Sequence, residues 1–220
     1  MIKMFGINIA DQSREEVRKT FEQFLGSGMP HHIVTVNPEM LVAAKYNPEF
    51  QYLLQNVDLA VADGFGLQLV TFGRLKNRVT GNDILKILLS LAYWQNKKIY
   101  FLGGAGDQAE QARQKVKQRL PDIQIQADAG GLISKEDDWF IHPSVLAKIQ
   151  AFAPDILVVG LGHEKQEFFI QDFLPRLPSV KIAVGVGGVF AFLSGQIKRA
   201  PTIFQTLGIE WLWRLIKEPN

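Results

Sequence analysis

The chain of 220 residues contains no cysteine. That excludes a disulfide framework, a thiolate zinc site and a cysteine nucleophile, and it fits a reducing compartment. Long apolar runs are also missing. The longest stretch without a charge, Ile182 to Ile197, has 16 residues and four glycines, whereas a membrane span takes about 20 apolar residues. No long apolar run precedes Asp11, so no secretory leader is expected. Charge of one sign is scarce. The 24 basic and 22 acidic side chains leave a net +2, too little to attract nucleic acid through bulk electrostatics. Neither H-E-x-x-H nor D-x-D occurs. His31 and His32 read as lying just ahead of a strand, and His142 and His163 stand alone. No metal site is expected, and there is no internal repeat or low-complexity segment.

What is present is an ordinary globular composition, 47% hydrophobic and 21% charged. A chain of this length buries roughly 70–75% of its unfolded surface. Short β-branched apolar runs recur at 33–36, 58–62, 98–102, 123–126, 156–159 and 181–184. Several are apolar on both faces, as buried parallel strands are. Helical patterns fall between them. Asp83 reads as the cap of a helix carrying Ile84, Ile87, Leu88 and Leu91, and Asp107 with Glu110 reads as a capping box. Further helices are expected from Pro143 and over Glu164 to Phe173, and Gly130 to Pro143 reads as a loop. Alternating strands and helices predict an α/β fold with a mainly parallel sheet.

Residues 1–195 read as the core and 196–220 as a helical segment. There Ile209, Leu212, Trp213 and Ile216 share one face, while Glu210, Arg214 and Lys217 share the other. Trp211 and Trp213 beside Arg and Lys suit a helix lying on a membrane surface; packing against the core is the other reading.

Ligands of open parallel sheets sit at the carboxyl ends of the strands. That rule selects Asn37, Asp63-Gly64, Gly103-Gly104, Asp128, Gly160 to Gly162 and Gly185 to Gly188. Glycines at several strand ends point to close backbone approach by a nucleotide-type ligand, helped by amides at helix starts. Gly104 to Ala109 fits the G-x-G-x-x-A form of the dinucleotide fingerprint, with Asp128 near the ribose-binding position. A nicotinamide-dependent oxidoreductase is therefore a rival reading. Asp63, at a strand end, reads either as a general base or as the cap of a helix starting near Leu67. Without paired acids for a metal, leaving-group charge falls to Lys165, Arg78, Arg199 and backbone amides.

These residues together resemble the WecG/TagA/CpsF family of bacterial glycosyltransferases. The matching runs are 35–41, 62–66, 78–83, 101–104, 160–162 with 165–167, 186–190, 198–201 and 208–212. They keep the family's order over nearly the whole chain. The resemblance implies a Rossmann-like mainly parallel sheet flanked by helices, distinct from the two commonest glycosyltransferase folds. It implies an inverting, metal-independent and cofactor-free transfer of N-acetylmannosamine or a related sugar from a UDP donor. The acceptor would be polyprenyl-diphosphate-linked N-acetylglucosamine, in wall teichoic acid or surface polysaccharide synthesis. The enzyme would work in the cytoplasm, peripherally on the inner face of the cell membrane. Assembly with copies of itself is left open.

By the same resemblance Asp63 is the catalytic base, and Thr35, Asn37, Arg78 and Gln166 bind substrate. Gly103, Gly104, Gly162, Lys165, Gly187 and Gly188 are assigned to the nucleotide from position. Glu164 stands where the family often has proline, and Ala191 where it often has Asp. Family members continue beyond Glu-Pro with an arginine-rich appendage, so weak catalysis is expected of a chain ending at Asn220.

Overall fold

The structure, a computed structural model, describes residues 1–129, 133–135 and 139–196. The segment 197–220, with the expected amphipathic helix and Arg199, lies outside the described residues. The chain opens with a hairpin of β1 (Ile2–Met4) and β2 (Ile7–Ile9). Its two-residue turn places Phe5 and Gly6 at φ 49° and 83°, the left-handed pair that matches strand twist. Next come α1 (Arg14–Gly26), β3 (His31–Val36), α2 (Pro38–Tyr46), α3 (Pro48–Gln55), β4 (Leu59–Ala62), α4 (Phe65–Val70), α5 (Gly81–Trp94) and β5 (Ile99–Gly103). They are followed by α6 (Gln108–Arg119), β6 (Ile125–Asp128), β7 (Ile133–Lys135), β8 (Trp139–Ile141), α7 (Pro143–Phe152), β9 (Ile156–Gly160), α8 (Lys165–Phe173), β10 (Ile182–Gly185) and α9 (Val189–Ser194).

The six apolar runs fall on the six strands of one parallel sheet, ordered β4-β3-β10-β9-β5-β6, with β6 lying two residues beyond the expected 123–126. The fold is thus the Rossmann-like α/β architecture expected. Alternate residues along the five strands other than β6 enter different cores. Ile33, Val61, Phe101, Val158 and Val184 pack under α1, α5, α6 and α9. Val34 and Ala60 pack on the opposite face under α2, α3 and α4, and Tyr100, Leu157 and Ala183 under α7 and α8. Burial on both faces is why these strands lack a polar stripe.

Four local expectations change. His31 and His32 are the first residues of β3 rather than a prelude to it. Thr80, not Asp83, caps α5; Asp83 is the third residue of the reciprocal capping box, its carboxylate taking the Thr80 amide and hydroxyl. Asp107 makes no side-chain cap bond to α6, and Glu110 instead holds Arg113 at 2.8 Å. The expected loop 130–143 contains the antiparallel pair β7–β8, built of Ile-Ser-Lys and Trp-Phe-Ile, and Pro143 already belongs to α7. Isoleucine and aromatics favour extended backbone.

Candidate active site

Neighbouring strands whose following helices lie on opposite faces leave a crevice at their carboxyl ends. β3 leads into α2 on one face, and β10 leads into α9 on the other. The buried Thr35 hydroxyl bridges this crevice, donating to the Gly185 carbonyl at 3.5 Å. Asn37 stands at the end of β3, where its Oδ1 caps α2 by accepting from the Met40 amide at 2.8 Å. Its acceptor oxygen therefore serves the helix, and its amide group is what it offers a ligand.

Asp63 follows β4. It does not cap α4, whose cap is Gly64 with no side-chain bond. Its Oδ2 instead accepts from the Gly81 amide, the first of α5, at 3.1 Å, which orients the carboxylate. The Asp63 amide donates to Val36 at 2.7 Å, tying β4 to β3 beside the crevice. Arg78 is half-buried in the segment that returns to the same place, where the Val79 amide donates to Ala62 at 3.0 Å.

Gln166, the second residue of α8, is buried and reaches across to β10. Its Oε1 accepts from the Gly187 amide at 2.9 Å, and its Nε2 donates to Glu167 Oε1 at 2.7 Å. These two bonds fix which end of the amide faces which neighbour. Gly185 makes the approach feasible, because a Cβ there would lie 2.5 Å from the Gln166 side chain. Gly185→Ala is expected to cost about 1–3 kcal/mol through overpacking, measured by denaturant unfolding. Unchanged stability would mean that Gln166 moves aside freely.

Glu167 is fully buried, and its Oε2 has no hydrogen-bond partner among the described residues. Burial pushes its carboxyl up to about 7, opposed by the Gln166 bond and the amides opening α8. Glu164, just before α8, has φ 63°. Proline is locked near −65°, so the departure from the family's proline goes with a local backbone that proline could not adopt.

The nucleotide candidates cluster on adjacent turns. The Gly104 amide donates to Gly160 at 2.7 Å, linking the ends of β5 and β9. Gly103, at φ 106°, leaves 2.7 Å between a would-be Cβ and the Gly160 carbonyl, which only glycine tolerates. Gly162 and exposed Lys165 flank the turn after β9, and Gly187 and exposed Gly188 the turn after β10. Four inter-strand steps of about 4.8 Å separate β4 from β5, or roughly 19 Å. A ligand touching both Asp63 and Gly103 must therefore lie extended along the strand ends. The strand-end rule selects Gly160 and Gly185, and Glu167 lies in the matching run 165–167, but none of the three is assigned a role from sequence. Glycine at a strand end and glutamate beside Gln166 were the available signals.

Gly104 to Ala109 does form a strand–turn–helix, as the dinucleotide reading requires. Asp128, however, is engaged by Lys148 Nζ at 2.6 Å rather than left for a ribose. Among the described residues there is no group of three or more metal-ligating side chains, and no helix is long and apolar enough to cross a membrane.

A sequence model described as the glycosyl transferase WecG/TagA/CpsF family matches residues 2–220. The chain is 35% identical over 190 residues to the N-acetylglucosaminyldiphosphoundecaprenol N-acetyl-beta-D-mannosaminyltransferase of Bacillus spizizenii, covering 85% of this chain and 71% of that one. It is 30% identical over 221 residues to the Staphylococcus aureus protein of the same description, covering 98% and 84%. The Bacillus subtilis protein of that description is 32% identical over 190 residues, covering 85% and 72%.

Proposed function

The chain belongs to the WecG/TagA/CpsF family of glycosyltransferases, and from that premise we propose that it moves N-acetylmannosamine from a UDP donor to N-acetylglucosamine carried on diphosphoundecaprenol. The reaction would serve wall teichoic acid or surface polysaccharide synthesis. The observation that carries this reading is the gathering of Asp63, Thr35 and Gln166 at the neighbouring ends of β4, β3 and β10, with three glycine turns beyond them.

In this reading the acceptor hydroxyl oxygen attacks the sugar's anomeric carbon in line, opposite the diphosphate. The new C–O bond forms as the bond to the β-phosphate oxygen breaks, which inverts the anomeric centre. Asp63 takes the hydroxyl proton, and UDP leaves with the electron pair. Arg78 meets the diphosphate bidentately, and Lys165 with the turn amides shares its charge. Thr35, the Asn37 amide and Gln166 orient sugar hydroxyls. No step requires a divalent metal. Residues 1–195 form the catalytic core, with 196–220 assigned to the membrane side.

The test is incubation of the chain with UDP-N-acetylmannosamine and lipid-linked N-acetylglucosamine. Release of UDP in step with a disaccharide lipid, at the same rate with excess chelator, is expected. Loss of transfer in chelator would overturn the metal-free mechanism. Calorimetry offers an independent arm: saturable UDP binding with NAD silent is expected, and NAD binding with UDP silent would overturn the reading.

A further inference from the structure

The segment between Asp63 and Gly81 carries a surface that the reaction does not use. It leaves the carboxyl end of β4 and returns to it. Leu67 and Leu75 are buried and pin its base to the core. Asp11 Oδ1 accepts from the Lys76 and Asn77 amides at 3.1 and 2.7 Å, and the Gln68 amide group donates to the Lys76 carbonyl at 3.0 Å. What lies between is turned outward: Leu69 is 60% exposed, Val70 59% and Phe72 95%.

Phe72 is disfavoured twice. Its ring is in solvent, and its backbone sits at φ 51°. The Gly73 amide reaches the Gln68 carbonyl and the Phe72 amide the Leu69 carbonyl. These are the two bonds of the motif that ends helices with a left-handed residue, ordinarily glycine. Nothing among the described residues repays phenylalanine there. The charge is equally one-sided. From Gly64 to Asn82 there is no acid but Arg74, Lys76 and Arg78, more positive charge than the chain's net +2. Arg74 and Lys76 are exposed beside the apolar tip.

We infer that this lobe docks the core on an anionic lipid bilayer, seating Leu69, Val70 and Phe72 among the lipids and Arg74 and Lys76 on the headgroups. An apolar tip ringed by cations matches that surface in both polarity and sign. The inference deepens the proposed function and rests on it for orientation: a lipid-borne acceptor must meet Asp63 at the membrane, and the lobe is continuous in sequence with Asp63.

The experiment is co-sedimentation of the full chain with phosphatidylglycerol or phosphatidylcholine vesicles. Wild type should bind the anionic vesicles. The triple variant Leu69→Ser, Val70→Ser, Phe72→Ser should lose at least about tenfold in partitioning. The double variant Arg74→Gln, Lys76→Gln should lose about fivefold per charge on anionic vesicles only. Both should unfold at the wild-type denaturant midpoint, since none of the five side chains is buried. Unchanged vesicle binding by the triple variant overturns the inference. So does a change of oligomeric state in that variant with vesicle binding intact, which would make the lobe a protein interface. Transfer to a short-chain, water-soluble acceptor should be equal in variant and wild type. If neither transfers sugar, the enzymatic reading fails, and the vesicle comparison still decides the lobe.

Discussion

Asp63→Asn is expected to lower sugar transfer by about 10²–10⁴-fold, the usual contribution of a positioned general base. The substitution keeps the side chain's shape. An asparagine carbonyl can still accept from the Gly81 amide, the bond that orients the carboxylate at 3.1 Å. The charge term at the start of α5 should cost about 0.3–1 kcal/mol of stability. UDP affinity should be unchanged, because the nucleotide turns lie on β10, β9 and β5. Steady-state rates with calorimetric UDP titration of the same preparation separate these effects. Transfer at the wild-type rate would remove Asp63 as the base. Equal loss of UDP binding would make it a structural residue.

The second large effect is on stability against pH. Glu167 is buried and its carboxyl is raised from 4.5 to about 7. The folded state holds that proton where the unfolded state has lost it. Its contribution is full below about 4.5 and is lost as pH rises to about 7. His32 is buried, with its imidazole lowered from 6.5 to about 4 by burial and partly restored by Asp58. Its contribution is present above 6.5 and is lost as pH falls toward 4. Each group changes stability by about 1.4 kcal/mol per pH unit inside its window. Between pH 4.5 and 6.5 the two slopes oppose, so the contributions of these two groups nearly cancel in the wild type. Glu167→Gln unmasks the histidine: the variant should lose about 3 kcal/mol relative to wild type on acidification across that window. Urea unfolding at half-unit pH steps measures it. Parallel profiles for variant and wild type would sink the assignment.

The sheet was legible from sequence because its inner strands are buried on both faces and read as plain apolar runs, such as Ile156 to Val159, whereas the edge strand β6 alternates Ile125 with exposed Gln126. Helices α5 to α8 followed from apolar spacing and from Pro143. The start of the chain was harder. α1 has a polar composition, and its only strong sign was Ser13 with Glu16, a capping box in the structure. α2 and α3 share one device, Asn then Pro at 37–38 and again at 47–48, with each asparagine capping the helix that its proline begins. The strand-end rule found the site's location. It could not find the bonds that organise it. Asp63 meets Gly81 eighteen positions away, and Gln166 meets Gly187 twenty-one away. Such pairings depend on strand order, which residue spacing does not encode. The same gap misread Asp83 and Asp107, whose carboxylates suit a cap equally well whether or not the turn presents an amide to them.

The crevice between β3 and β10 joins turns that feed opposite faces of the sheet, α2 on one side and α9 on the other. Anything bound there acts as a clasp between two layers that the sheet and the Gln166–Gly187 bond already join. Its binding free energy is added to both. At a hundredfold excess over its dissociation constant a ligand contributes about 2.7 kcal/mol. Substrate therefore adds its own free energy to turns already held by the Gly187–Gln166 and Gly104–Gly160 bonds, and tightens them at the moment in-line chemistry requires it.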